Sequence, residues 1–343
     1  MEKAVRILYG HRNYEMVEVT EIFWKHYPLG GVGFNELFGD PCHGVIKCLY
    51  FMKNETECLG TMLENSDEFI PYRKLVMGAI FKNESWILKE WLEHFMAEGV
   101  EHFYLINNNS TDDYMSVLQS YLDTGLVTLF HESRSYVQVV AYNQYFMPYC
   151  HSAEWIIICD LDEFMYSRKG FGRIVDYLES LEKEISAVSV PWKMFGSSYW
   201  IEHPTDGVIH NFIYRKKYDG KGEFPIANRD NKSICCKTIC RFHAISCLGM
   251  HNPDLSQGHG ITSDGKRVDT MTSHQSIDET ILENSVLHLN HYAIQSREFF
   301  TKIKKTRTDA FSSSTNSART EEYFQRYDWN DVCDKELKNK RNR

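Results

Sequence analysis

The stretch that most constrains this chain is Trp155–Phe164, WIIICDLDEF, in which an apolar run passes directly into Asp160, Asp162 and Glu163. Uninterrupted apolar residues from Trp155 to Cys159 suit a central parallel strand covered on both faces. Open α/β sheets bind their ligands at the carboxyl ends of such strands, and the acids stand at that end. In extended backbone, side chains alternate between faces. Asp160 and Asp162 would then project the same way and could share one hard cation through oxygen ligands. The plainer alternative is that both acids open a turn and cap a helix over Gly172–Lys183. Three acids so close together beside so apolar a strand repel one another unless a cation or several donors balance them, which favours a site.

The elements around this run alternate. Leu75–Phe81 reads as a strand, Trp86–Ala97 as an amphipathic helix, His102–Ile106 as a strand, Tyr114–Asp123 as a helix and Val127–Phe130 as a strand. This rhythm predicts crossover units and an α/β domain whose Rossmann-like central sheet is mixed, mostly parallel and flanked by helices. Residues 1–70 hold two strand candidates, Val5–Tyr9 and Val45–Phe51, among glycine and proline turn signals. They predict a small β-containing N-terminal extension, with the polar segment Cys58–Arg73 as a linker into the main domain at 71–310. Residues 311–343 read as a C-terminal helical tail, with Lys338, Lys340, Arg341 and Arg343 in solvent.

Composition narrows the function. A 43% hydrophobic content over 343 residues supports a sizeable core, and a formal charge of −9 argues against nucleic-acid binding. No window is apolar for long enough to span a bilayer, and MEKAVRILYG lacks a signal-peptide core, so a soluble, cytoplasmic protein is expected. The ten cysteines then read as reduced thiols. Cys235, Cys236, Cys240, His243, Cys247 and His251 lack the paired spacing of a zinc site.

Further segments offer binding chemistry. Asn107–Asp113 follows a strand and precedes a helix, where backbone donors favour anions. Neither a G-x-G-x-x-G nor a P-loop pattern is present. The loop from Trp192 to Trp200 combines aromatic faces with Ser197 and Ser198, a suitable wall for a sugar. Val286–Tyr292 alternates as a strand, placing His288 and His291 on opposite faces, so that one histidine packs and the other can reach a ligand. A basic helix over Ser296–Arg307 offers Lys302, Lys305 and Arg307 to a diphosphate.

In this order AIFKNESWILKEWLEHF (79–95), NNNSTDD (107–113), Gln138 with Asn143, CDLDEF (159–164), WKMFGSS (192–198) and LNHYAIQSREFFTKIKKTR (289–307) resemble the GT-A glycosyltransferases of the family 2-like and family 92-like (DUF23) group. The resemblance covers roughly residues 75–307 and implies an inverting transfer from a nucleotide-sugar, best a UDP-sugar, to a hydroxyl of a glycan or glycoconjugate. It implies Mn²⁺ or Mg²⁺ on Asp160 and Asp162, with His291 or His251 as a further ligand. Lys82, Asn83, Glu84, Asn107, Asp112, Gln138, Asn143, Leu161, Lys302 and Lys305 would serve the donor. Trp192, Phe195, Gly196, Ser197 and Ser198 would serve the acceptor. Asp254, or second Glu223, would take the acceptor proton. Many relatives carry Asp at the place of Asn107, which leaves the choice of nucleoside base open. A nucleotidyltransferase acting on sugar phosphates is one rival, although it leaves the Trp-rich loop unexplained. A noncatalytic carbohydrate-binding protein on the same fold is the other, and it would not need the acids.

Overall fold

The computed structural model describes residues 5–64, 66–218, 233–306 and 319–342. Glu223 and Arg307 therefore lie outside the described residues, as does Arg343.

The N-terminal part is an antiparallel sheet. Its strands are β1 (Arg6–Gly10), β2 (Met16–Glu18), β3 (Cys48–Met52), β4 (Cys58–Leu63) and β5 (Ile70–Pro71), in the order β2-β1-β3-β4-β5. Helices α1 (Thr20–His26) and α2 (Phe34–Phe38) supply Phe23 and Phe34 to a small core with Ile7, Tyr9, Leu49 and Phe51. The segment read as a linker is thus β4 and β5. Its acids cluster between the two strands, at Glu64, Asp67 and Glu68, whereas Gly60, Thr61 and Met62 are buried. Thr61 Oγ1 meets Ser152 Oγ at 2.7 Å, tying this sheet to the next unit.

The main sheet begins with β6 (Arg73–Phe81), α3 (Ser85–Ala97), β7 (His102–Asn107), α4 (Tyr114–Asp123), β8 (Val127–His131), α5 (Gln138–Tyr145) and β9 (Ala153–Ile158). These strands pair in parallel in the order β9-β6-β7-β8. Trp91, Leu92 and Phe95 of α3 cover one face, and Ala141, Tyr142 and Phe146 cover the other. Gly78 permits the second contact, because a Cβ there would lie 2.6 Å from the Phe146 ring.

The chain continues through β10 (Glu163–Ser167), α6 (Ile174–Glu179), β11 (Ile185–Met194), α7 (Val208–Asn211), β12 (Tyr214–Arg215) and β13 (Ser233–Arg241). Short strands β14 (Ile245–Cys247), β15 (Asp254–Leu255), β16 (His259–Thr262), β17 (Arg267–Val268) and β18 (His274–Ser276) lead to α8 (Glu279–Asn284), β19 (Leu287–His291) and α9 (Arg297–Lys302). The full order is β10-β19-β11-β13-β9-β6-β7-β8, with β13 antiparallel to both of its neighbours in this path. This is the mixed α/β sheet that the alternation of strands and helices predicts. The alternation along β19 holds: His288 is buried against Tyr166 and Lys193, and His291 lies on the other side.

The C-terminal segment forms α10 (Glu321–Tyr327), β20 (Val332–Cys333) and α11 (Glu336–Arg341). It is not a solvated tail. Fully buried Lys193 pairs with Asp334 at 2.7 Å, and Arg215 reaches the same carboxylate at 2.8 Å. Lys340 and Arg341 pair with the buried Glu98 at 2.7 and 2.5 Å. Buried charges require such partners, so Lys340 and Arg341, read as solvated, complete the core of the domain. Among the described residues no helix is long and apolar enough to cross a membrane, and the ten cysteines are free thiols.

Candidate active site

Asp160–Glu163 is a tight turn after β9, not a continuation of the strand: the Glu163 N–H donates to the Asp160 carbonyl at 3.1 Å. The expectation of extended geometry was wrong for a simple reason. β9 stops at Ile158, and the chain must reverse within four residues to start β10 beside β19. The turn drives Leu161 into the core, 1% exposed, and leaves both aspartate carboxylates on one cleft. Trp91 Nε1 lies 3.2 Å from the carbonyls of both Asp160 and Glu163, and the Tyr292 N–H donates to the Asp162 carbonyl at 2.8 Å. Glu163 Oε2 accepts the Asp160 N–H at 2.9 Å.

The cleft, about 370 Å³, opens at the carboxyl ends of β6, β7 and β9. Lys82, Glu84 and Asn108 line it from the first two strands, and Gln138 from the start of α5. Trp192 and His251 stand on the far side with His291, and Lys304, Arg319, Tyr323 and Tyr327 come from the C-terminal region. Such a cleft, floored by strand ends and walled by loops, is the usual ligand position of an open α/β sheet.

Each aspartate has a lysine. Lys237, fully buried in β13, places Nζ 3.1 Å from Asp160 Oδ2 and 3.5 Å from Glu163 Oε2. Lys304 pairs with Asp162 Oδ2, while Asp162 Oδ1 lies 3.5 Å from Nε2 of His291. Gln138 Nε2 approaches Asp160 Oδ1 at 3.4 Å. Burial opposes ionisation of Asp162, but Lys304 and His291 outweigh it and hold the carboxyl well below its usual range. Glu163 goes the other way: burial pushes it up to about 7, with Lys237 resisting and Asp160 adding to the rise.

Among the described residues no three His, Cys, Asp or Glu side chains form a ready-made metal cage. Asp162 and His291 face each other, with Asp160 on the same cleft, and these oxygen and nitrogen donors would suit a divalent ion. Nε2 of His291 faces Asp162 and is the nitrogen in position to ligate, while Nδ1 is buried and has no hydrogen-bond partner among the described residues.

Several expected donor residues stand behind the cleft. Asn83 accepts the Thr111 N–H at 2.7 Å, Asp112 accepts the Ser85 N–H at 2.7 Å, and Asn107 accepts the Ser110 N–H at 2.8 Å. The first two bonds stitch the ends of β6 and β7 together, the third closes the loop after β7, and it is Asn108 that reaches the cleft. Asn143 brackets Leu248 with bonds of 2.8 and 2.9 Å. Lys302 bonds Glu298 one helical turn away and is exposed, as is Lys305. The predicted helix Ser296–Arg307 breaks at Ile303, and this break is what turns Lys304 inward.

The acceptor wall is also corrected. Only Trp192 of that loop lines the cleft, its ring 4.3 Å from that of His291 and 5.4 Å from that of His251. Phe195 is fully buried against Tyr292. Gly196 passes so close to Trp329 that a Cβ would sit 2.2 Å from its carbonyl oxygen. The Ser197 and Ser198 amides donate to Asp328 and Asn330 at 2.7 and 2.8 Å. The loop is anchored to the C-terminal segment. Asp254 is exposed on β15 and does not line the cleft. Sequence reasoning missed Lys237, although a lone lysine within the buried strand SICCKTICR was a readable signal.

A curated glycosyltransferase family 92 protein of Ricinus communis is 27% identical over 177 residues, a match covering 50% of this chain and 31% of that protein's length. Among solved structures, S. aureus TarS 1-349 in complex with UDP-GlcNAc is 13% identical, covering 49% of this chain and 45% of its own, with a TM-score of 0.28. Glucosyl-3-phosphoglycerate synthase from Mycobacterium tuberculosis, in complex with Mn²⁺, UDP and glucosyl-3-phosphoglycerate, is 11% identical, covering 35% of this chain and 44% of its own, with a TM-score of 0.23. The model of glycosyltransferase family 92 matches residues 76–336, from the first strand of the main sheet into the C-terminal segment, and the chain belongs to that family.

Proposed function

We propose that this protein transfers a glycosyl residue from a UDP-sugar to a hydroxyl group of a glycan or glycoconjugate, with inversion, using Mn²⁺ or Mg²⁺. The observation that carries the reading is the convergence of Asp160, Asp162 and His291 with Lys304 on one cleft at the strand ends. Asp162 and His291, with Asp160, would hold the ion. When bound, the ion supplies positive charge where the departing diphosphate becomes more negative.

The chain's own groups do the rest. Lys304 and Arg319 face the same cleft and provide further cationic partners for phosphate oxygens. Lys237 holds Asp160 in place from inside the sheet, and Trp91 fixes the turn between the two aspartates. Lys82, Glu84, Asn108 and Gln138 lie at the end suited to the nucleoside. Trp192 offers a flat face to a sugar. Free thiols throughout suit action in the cytoplasm.

The test is a panel of nucleotide-sugars with and without Mn²⁺, beside Asp162→Ala. Turnover of a UDP-sugar should be abolished by chelation and should fall about 10²–10³-fold or more in the variant, on the scale of losing one group that stabilises transition-state charge. The anomeric configuration of the product, read by NMR, checks inversion. Undiminished turnover by Asp162→Ala would remove the metal assignment.

A further inference from the structure

We infer that His251 takes the proton from the acceptor hydroxyl, a role no carboxylate in the described cleft is placed to fill. The inference rests on the glycosyl-transfer reading above and assigns its missing base. Inverting transfer needs a proton acceptor within hydrogen-bond reach of the attacking hydroxyl. The cleft is lined by three carboxylates, Glu84, Asp160 and Asp162. Asp160 and Asp162 hold Lys237 and Lys304 and belong to the phosphate end, and Glu84, at the start of α3, stands with Lys82 at the end assigned to the nucleoside. Asp254, the sequence-based choice, is outside it.

His251 is built for the task by its tautomer. Nδ1 lies 3.0 Å from the carbonyl oxygen of Cys236, which can only accept, so Nδ1 carries the hydrogen. In the neutral ring Nε2 is then the bare nitrogen, and among the described residues it has no hydrogen-bond partner. The ring is half-buried, lines the cleft, and packs on Trp192, the aromatic face offered to the sugar. Its backbone is fixed as well, because Thr238 Oγ1 donates to the His251 carbonyl at 2.9 Å and Lys237 Nζ to that of Met250 at 3.1 Å.

With its hydrogen on Nδ1, the neutral ring keeps its lone pair on Nε2. In the step, the hydroxyl proton passes to Nε2 while the acceptor oxygen bonds to the anomeric carbon. The bond from that carbon to the diphosphate breaks, its electron pair leaving with the nucleoside diphosphate. The proton then passes to solvent.

The experiment uses the full chain with the UDP-sugar selected by the donor panel, and water and azide as acceptors. His251→Asn keeps an N–H for the Cys236 carbonyl and lacks a basic nitrogen; His251→Gln is the second variant, and thermal melting checks the folding of both. Turnover with water should fall about 10²–10⁴-fold, the range for loss of a general base, with UDP-sugar and Mn²⁺ affinities unchanged within about twofold. Azide has no proton to lose, so both variants should transfer the sugar to it at near the wild-type rate. Retained turnover with water, or loss of azide transfer in step with water, overturns the role. Loss of Mn²⁺ binding assigns His251 to the cation instead. No turnover of any nucleotide-sugar by the wild type overturns the functional reading itself, and the base with it.

Discussion

Nζ of Lys237 lies 3.1 Å from Oδ2 of Asp160, reaching from inside β13 the carboxylate that faces the cleft. The same ammonium is 3.5 Å from the fully buried Glu163, so one lysine serves an outward and an inward acid. Lys237→Met should destabilise the protein by about 3–5 kcal/mol in urea unfolding, the cost of breaking a buried ion pair from one side. Adding Glu163→Gln should recover part of that stability without restoring turnover, because Asp160 would still lack its support. A single variant as stable as the wild type would contradict the arrangement.

Lys304 and a divalent ion would compete for Asp162. Removing the ammonium in Lys304→Met should tighten Mn²⁺ binding to the donor-free protein about tenfold, on the scale of one unit charge near a half-screened site. UDP binding should weaken in the same variant, since a phosphate partner is lost. Titration calorimetry with Mn²⁺ and with UDP reads both changes, and weaker Mn²⁺ binding would refute the competition.

The C-terminal segment is held by Asp334, which lies 2.7 Å from buried Lys193 and 2.8 Å from Arg215. Asp334→Asn should cost about 3–5 kcal/mol, because both cations stay buried with less negative charge. Burial works against the charged form of Asp334, but Lys193 and Arg215 prevail and hold it at about 2 against an ordinary 3.8. A depressed acid stabilises the fold fully above its unfolded value. This contribution is therefore present above about pH 4 and is lost as pH falls towards 2. Flattening of that acid limb in Asp334→Asn, measured by circular dichroism, checks it.

Histidines should dominate the response at milder acidity. Burial first, and nearby cations second, bring His102 and His288 down to about 4. Their unfolded forms take up protons below about pH 6.5 and the folded forms do not, so stability should fall as pH drops from 6.5 towards 4. Glu163, raised to about 7, acts in the opposite sense between about 7 and 4.5. His102→Gln should therefore reduce the loss of stability between pH 7 and 5 by about 1 kcal/mol in urea titrations, and an unchanged pH profile would count against it.

The local code was legible where one segment carried its own signal. The apolar run ending at Cys159 named a strand covered on both faces, and the alternation of Val286–Tyr292 separated a packed His288 from an outward His291. The linker reading of Cys58–Arg73 failed because its acids, gathered between two strands, masked short alternating runs.

Residue patterns along the chain determined the α/β class and the strand ends that floor the cleft, since periodicity and polarity are local properties, whereas the tight turn after β9, not strand alternation, puts Asp160 and Asp162 on one cleft. Tertiary structure alone decided which lysines meet those acids. Lys237 and Lys304 are 77 and 142 residues from their partners, and the fold of the sheet and the break after α9 bring them there. It also decided that Phe195 packs on Tyr292 and that Gly196, Ser197 and Ser198 brace the C-terminal segment, because buried polar groups must find partners wherever the packed chain provides them.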